Sequence, residues 1–275
     1  MTFVSLPRRL DKFLKDELGW TRPVTHERLH EVRVNQEALR PCDIVLPGDE
    51  VLVKDEVVCV GSRRHRAYMF HKPAGIITAH SDPHQRPCLD TYSDDWGLAC
   101  AVGRLDKDTT GLLLITDDGD LTFSLMYPEF KVRKRYVIGL GREVEESDPR
   151  LELLLGGIEI GDGPAAACSV VLRSRTQVVI EIDEGRNRQI RRMCKVTRLP
   201  LETLHREAVG SLELDVPTGE WRELLPVEVD RLWADVGGRA AVQDRQKSAL
   251  LSRTRVWREQ GRPDVRLESW LEENK

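Results

Sequence analysis

The chain has 275 residues, 40% of them apolar and 32% charged, with a formal net charge of −4. That composition belongs to a folded globular protein long enough for more than one domain, and it excludes a disordered chain; no apolar run approaches the roughly 20 residues of a membrane span. The opening Met1-Thr-Phe-Val-Ser-Leu-Pro-Arg-Arg lacks the apolar stretch of a secretory leader, and the six cysteines (Cys42, Cys59, Cys88, Cys100, Cys168, Cys194) form no C-x-x-C pair, so reduced thiols in a cytoplasmic protein are expected.

Leu10, Phe13, Leu14 and Leu18 fall at helical spacing and predict a short amphipathic helix. Thr21-Arg-Pro23 predicts the start of a second, with Thr21 or Thr25 as its cap. Val32 and Val34 alternate with Arg33 and Asn35 as in a strand, and the turn signal Pro47-Gly48-Asp49 leads into a second alternation at Val51 and Val53. Residues 1–61 therefore read as a small α+β module, too small to be an enzyme alone. After a basic connector at 62–66, a larger domain over 62–232 opens with the strand-like Ala67-Tyr-Met-Phe. Further apolar runs follow at Ala99–Val102, Leu112–Thr116, Tyr136–Leu140, Ser169–Leu172 and Gln177–Ile182, then a helix at Gln189–Val196 and a strand at Leu212–Val216. Strands outnumber helices and short polar turns such as Asp117-Asp118-Gly119 join them. The fold class expected is α+β, with a mixed, largely antiparallel sheet and a few flanking helices. Residues 233–275 are charged and helical in propensity, with Leu250, Leu251, Val256 and Trp257 as sparse apolar anchors and Gly261-Arg-Pro263 as an interruption. A solvated helix is expected there.

The net charge alone counts against a nucleic-acid partner, but the cations are unevenly placed. Arg63-Arg64-His65-Arg66, Lys131-Val-Arg133-Lys134-Arg135 and Arg186-Asn-Arg188-Gln-Ile-Arg191-Arg192 are three dense basic groups. Converging in space they would form a phosphate-binding surface on an otherwise acidic protein; apart, they are three solvated runs. His80 and His84 stand four apart, but Asp82-Pro83 breaks any helix that would align both rings on one ion, so no metal is expected.

The densest chemistry lies in Gly103-Arg-Leu-Asp-Lys-Asp-Thr-Thr-Gly-Leu-Leu-Leu-Ile-Thr116, where two aspartates, two hydroxyls and two bases share a loop between apolar runs. On the residues alone, Asp106, Asp108 and Thr109 could equally make local Asx and capping bonds. The segment resembles the catalytic motif of uridine-to-pseudouridine isomerases of the rRNA type, in particular the RsuA family. Lys72-Pro-Ala-Gly75, Lys134-Arg-Tyr136-Val, and Glu184-Gly-Arg-Asn-Arg-Gln-Ile-Arg-Arg-Met193 with Leu204-His-Arg206 and Gly210 match further motifs of that family in order. Arg9-Leu-Asp-Lys-Phe13 with Val32-Arg-Val-Asn35 resembles the S4 RNA-binding module that precedes its catalytic domain.

The resemblance implies that the N-glycosidic bond of a uridine is cut, the base turned and rejoined through carbon, with no second reactant and hence no cofactor. It makes Asp106 the covalent nucleophile and Arg191 the cation that offsets the cost of an ionised carboxylate in a dry pocket; a bidentate Arg191–Asp106 pair is expected. Tyr136 matches the tyrosine that stacks on the uracil and assists proton removal from C5. Arg104 matches the arginine that fills the space a flipped base vacates. Lys72, a candidate RNA contact, would touch phosphate or else support the active-site loop; Asn187 and Arg188 become candidate RNA or base contacts, and Arg8, Arg9, Lys12 and Arg22 a basic face on the S4-like module. The implied partner is ribosomal RNA or a ribosomal subunit precursor, met by a monomer away from any membrane, with affinity falling steeply as salt rises. The tail would pack on the second domain, reach RNA through Arg253, Arg255 and Arg258, or stay solvated. S4 modules commonly place glycines around the Val-x-Val-Asn turn; His30 and Gln36 stand there instead. Two other readings are a non-catalytic S4-type RNA-binding or ribosome-assembly protein, and a glycosidase. Retention of Asp106, Tyr136 and Arg191 opposes the first, and the absence of a second placed carboxylate opposes the other.

Overall fold

The computed structural model describes residues 7–58, 65–79, 82–92, 96–97, 99–259 and 265–273. By their internal contacts the residues group into two units, Met1–His65 with Arg239–Lys275, and Arg66–Gly238. Arg63 and Arg64 of the first basic group, Cys59 and His80 lie outside the described residues.

In the first unit β1 (Arg8–Arg9) leads into α1 (Leu10–Leu18), followed by α2 (Arg22–Arg28), β2 (Val32–Val34), β3 (Ile44–Val45), β4 (Val51–Val53) and β5 (Glu56–Val57). β2, β4 and β5 form an antiparallel sheet in that order, and β1 pairs with β3. Leu10, Phe13 and Leu14 are fully buried against Val32, Val34, Val45 and Val51. Leu18, the fourth member of the predicted stripe, is exposed on the last helical residue before the left-handed cap Gly19 (φ 72°). Thr21 precedes α2 as predicted but makes no side-chain cap bond, and Thr25 is buried inside the helix and is no cap. The turn after β2 puts Asn35 and Gln36 at φ 50° and 69°, a region where glycine is the usual occupant. Asn35 offsets the strain with its side chain: its amide donates to Asp49 (2.7 Å) and its carbonyl accepts from the Glu50 backbone (2.9 Å).

The second unit is built on one sheet. Its strands are β6 (Ala67–Lys72), β7 (Cys100–Ala101), β8 (Thr109–Thr116), β9 (Lys134–Leu140), β10 (Ile158–Glu159), β11 (Pro164–Ala165), β12 (Ser169–Ser174), β13 (Gln177–Ile182), β14 (Leu201–Val209), β15 (Leu212–Glu213) and β16 (Trp221–Glu223). The main path runs β12-β13-β9-β14-β8-β6-β16, with β7 on β8 and β15 on β14; β10 and β11 make a separate hairpin. Every pairing is antiparallel except β14 with β8, in the middle of the sheet. Helices α3 (Gly119–Met126), α4 (Pro149–Gly156), α5 (Gln189–Thr197) and α6 (Pro226–Asp235) flank it. The core joins Phe70, Leu113, Ile115, Ile138, Ile180, Met193 and Leu199 across sheet and helices. Asp117 and Asp118, read as turn residues, are buried: Asp118 caps α3 by accepting from Asp120 and Leu121 (both 3.0 Å), and Asp117 accepts from the Arg66 backbone (2.8 Å). The predicted strand at Leu212–Val216 shrinks to two paired residues, because the chain then leaves the ladder and Asp215 donates its backbone N–H to Met69 Sδ.

The tail corrects an expectation. α7 (Gly238–Glu259) and α8 (Val265–Glu273) are helical, but α8 is not solvated all round. Leu267 and Leu271 are buried against Ile44 and Leu46 of the first unit, and Arg266 forms a bidentate pair with Asp49 (2.6 and 2.7 Å). The side chains of Leu251, Arg253, Arg255, Val256, Trp257 and Arg258 lie outside the described residues.

Candidate active site

The parallel pairing of β8 with β14 decides where the chemistry gathers. The chain enters β8 from the Gly103–Asp108 loop and enters β14 from α5, so loop and helix meet over the same end of the sheet. The register places Tyr136 of β9 beside Arg206 of β14, and Arg206 beside Gly111 of β8. Gly111 has φ +107°, and a Cβ there would strike the Arg206 backbone, so only glycine lets the two strands close at this row.

Above that row lies a cavity of about 570 Å³ lined by Arg104, Asp106, Lys134, Tyr136, Asn187, Arg188, Arg191 and Arg206, among others. The loop that carries Asp106 is braced from beneath. Thr78 donates its hydroxyl to the Leu105 carbonyl (2.8 Å) and accepts from the Leu105 N–H (3.1 Å), and Gly75 N–H donates to Lys107 (2.8 Å). Lys72 is fully buried, and its ammonium donates to the carbonyls of Pro73 (2.9 Å), Lys107 (3.2 Å) and Thr109 (2.9 Å). Of the two roles expected of Lys72 this corrects the RNA contact and leaves the support of the loop: with no exposed surface the ammonium reaches no phosphate. Burial pushes its ammonium down to about 8, opposed by the charges of Asp108 and Asp106.

Asp106 keeps a quarter of its side chain exposed and has two cations beside it, Arg188 and Arg191, each 3.6 Å from Oδ2. The bidentate Arg191 pair is not formed. Arg191 approaches Asp106 through Nε alone, while Nη2 donates to the Asp108 carbonyl (3.0 Å) and the Thr109 hydroxyl (3.2 Å). Arg191 thus fixes the start of β8 as well as facing the carboxylate. Arg188 holds the left-handed conformation (φ 48°) just before α5, and its Nη1 faces Asp106. Arg104 and Asn187 are exposed and line the cavity. Tyr136 is 9% exposed and forms part of its wall.

Two lining residues were not singled out from the sequence as site residues, although both stand inside quoted motifs. Arg206 is buried, donates through Nε to the Leu112 carbonyl (2.7 Å) and reaches the Tyr136 hydroxyl at 3.5 Å. Lys134 begins β9, two residues before Tyr136, and burial pushes its ammonium down to about 8, with Arg206 acting in the same direction and Asp183 and Cys168 against it. The spacing Lys-x-Tyr was the available signal, since alternate strand residues share a face.

Of the second and third basic groups, Lys134, Arg188 and Arg191 meet at the cavity, while others are committed to nearby acids and carbonyls. Arg186 donates to the Asp162 and Pro164 carbonyls and pairs with Glu184 (3.1 Å), and Arg192 binds Asp162 (2.8 Å) and the Ile160 carbonyl, so both pin α5 to the β10–β11 hairpin. Arg133 pairs with Glu181 (3.3 Å) and Arg135 with Glu213 (2.7 Å). In the other unit Arg8 faces Asp16 (3.2 Å) and Glu17 (3.7 Å), Arg9 grips Asp11 (2.7 Å), Lys12 is partly buried and Arg22 exposed. Among the described residues no group of three or more His, Cys, Asp or Glu is placed to hold a metal ion, and no helix is long and apolar enough to cross a membrane.

A family model described as RNA pseudouridylate synthase matches residues 66–195, which include Asp106, Tyr136 and Arg191. The ribosomal small subunit pseudouridine synthase A of Vibrio vulnificus is 32% identical over 237 residues, covering 82% of this chain and 99% of the relative. The ribosomal large subunit pseudouridine synthase B of Bacillus subtilis is 33% identical over 242 residues, covering 82% and 96%. A crystal structure of a pseudouridylate synthase superposes with a TM-score of 0.59 at 28% identity, over 83% of this chain and all of that one. The likeness covers the unit that forms the cavity and extends beyond it, and the chain belongs to the RsuA family of pseudouridine synthases.

Proposed function

We propose that this enzyme isomerises a uridine of ribosomal RNA, free or in a subunit precursor, with Asp106 as the covalent nucleophile. The observation that carries the reading is the placing of the Asp106 carboxylate in the cavity that Tyr136 also walls, with the guanidinium groups of Arg188 and Arg191 each 3.6 Å away. A carboxylate so placed attacks the ribose carbon, and the two cations stabilise it before attack and after release. Tyr136 stacks on the base and takes the C5 proton. Arg104, Asn187 and Arg188, exposed at the cavity, meet the RNA strand and the space left by the flipped base. The ribosomal substrate rests on the names of the relatives, two of which cover most of this chain. The first unit is read as an S4-like RNA-binding module, and the protein as a cytoplasmic monomer. Isomerisation consumes no second reactant, so no cofactor is invoked.

The test is to incubate the purified protein with small- and large-subunit rRNA transcripts and map pseudouridine. The wild type is expected to form it at a discrete site, and Asp106→Asn to fall by at least about 10³-fold, because the nucleophile is removed without change of shape. Equal product from Asp106→Asn would remove the nucleophile assignment, and no product on either rRNA would favour a non-catalytic binding protein.

A further inference from the structure

Lys134 has no use in the reading above, yet its position is unusual. It lines the cavity, is mostly out of solvent, and stands two residues before Tyr136 on the same strand face. Among the described residues no carboxylate lies within ion-pair distance of its ammonium and no group accepts a hydrogen bond from it. Its neighbour in charge is another cation, Arg206, buried and bonded to the Leu112 carbonyl and the Tyr136 hydroxyl. Two cations sharing one dry wall, neither with a carboxylate at ion-pair distance among the described residues, are costly unless a negative charge appears there during the reaction.

The chemistry supplies one. When Asp106 oxygen bonds to C1′ of the ribose, the C1′–N1 bond breaks and its electron pair passes to the uracil ring, where the charge is shared by N1 and the two carbonyl oxygens. The ring turns, C5 bonds to C1′, the ester bond to Asp106 breaks with its pair returning to the carboxylate, and the C5 proton leaves to a base while N1 gains one. We propose that Lys134, backed by Arg206, binds the detached uracil ring and holds its negative charge between bond breaking and bond making. This rests on Asp106 as nucleophile. A backbone phosphate is the rival anion, but the cavity's exposed cations, Arg104 and Arg188, stand nearer to where a strand would pass than two largely buried ones.

The experiment compares wild type, Lys134→Met and Lys134→Arg on the rRNA transcript that the wild type modifies, measuring single-turnover rate, affinity and the salt dependence of affinity. For Lys134→Met the rate is expected to drop by about 10²-fold or more, with affinity within about twofold and the salt slope unchanged. Lys134→Arg is expected to recover at least about tenfold of that loss, since a cation is restored. The wild-type rate is expected to fall above about pH 8, where Lys134, set between Arg206, Asp183 and Cys168, gives up its proton; Lys134→Arg moves that fall to higher pH. A wild-type rate in Lys134→Met overturns the proposal. So does a weaker affinity with a salt slope reduced by about 0.7 at unchanged rate, which would make Lys134 a phosphate contact. Should Lys134→Met fail to melt cooperatively, Lys134→Gln carries the same comparison. If the wild type forms no pseudouridine on any rRNA, the nucleophile reading itself fails and takes this proposal with it, an outcome distinct from a loss seen in Asp106→Asn but not in Lys134→Met.

Discussion

Three backbone carbonyls converge on the Lys72 ammonium, and two of them, Lys107 and Thr109, sit on either side of Asp108 in the loop that presents Asp106. An ammonium has three donors, so this site satisfies it fully without any carboxylate. Lys72→Met keeps the bulk and removes the donors. The variant loses charge-assisted bonds and strands buried acceptors, but it no longer buries a charge; the net cost expected is about 2–4 kcal/mol, read as a lower urea midpoint. Pseudouridine formation should fall with it, because the loop loses its underside. A variant as stable as the wild type would show that the ammonium is a burden the loop tolerates. That Asp106, Tyr136 and Arg191 would share one cavity was legible because their motifs are specific. Which nitrogen of Arg191 meets which oxygen was not, since that depends on how far α5 advances over β8. The two roles open to Lys72 were inseparable for a related reason: a lysine beside a loop of aspartates and hydroxyls serves as ligand contact or as brace, and only its burial against carbonyls decides.

Among the elements, the strands with unbroken apolar runs were legible to within three residues at either end, β8 starting at Thr109 in what reads as polar loop. β13 matches its predicted span, and α5 exceeds its own by one residue. The longest strand, β14, escaped notice, because Leu201-Glu-Thr-Leu-His-Arg-Glu-Ala-Val209 mixes charge into a central position and its polar side chains find partners there: His205 bonds Thr110 (2.8 Å), Arg206 the Leu112 carbonyl, and Glu207 grips Arg173 (2.6 Å). Alternation alone cannot foresee such partners. The tail was misjudged for the opposite reason, as too few apolar residues to matter. Two suffice for α8, since Leu267 and Leu271 are four apart on one face and meet Ile44 and Leu46. Leu267→Ala is therefore expected to destabilise the first unit by about 2–3 kcal/mol and to speed proteolysis of α8. A change within about 0.5 kcal/mol, the range of a solvated position, would restore the original expectation of a free helix.

Over the whole molecule the net charge of −4 conceals a pattern that the sequence could not resolve. The dense basic runs promised a phosphate-binding surface, and with it a steep loss of affinity in salt. Among the described residues four of those arginines, Arg133, Arg135, Arg186 and Arg192, are instead committed to Glu181, Glu213, Glu184 and Asp162. Outside the runs Arg173 pairs with Glu207, and Arg222 joins Asp215 to Glu228 at 2.6 Å on each side. Pairs of this kind tie strand to strand and helix to hairpin, so breaking them to bind RNA would cost structure as well as charge. Around Asp106 the exposed cations are Arg104 and Lys107 in its loop and Arg188 just before α5, the last also facing Asp106. About three phosphate contacts to a single strand at the cavity give a slope of log affinity against log salt near −2. Titrating a fluorescent rRNA fragment between about 50 and 300 mM salt should return that shallow value, and Arg104→Ala should lower its magnitude by about 0.7. A slope steeper than about −6 would mean that the paired arginines open to the RNA, and the acidic partners named above would then be gates on binding and not struts of the fold.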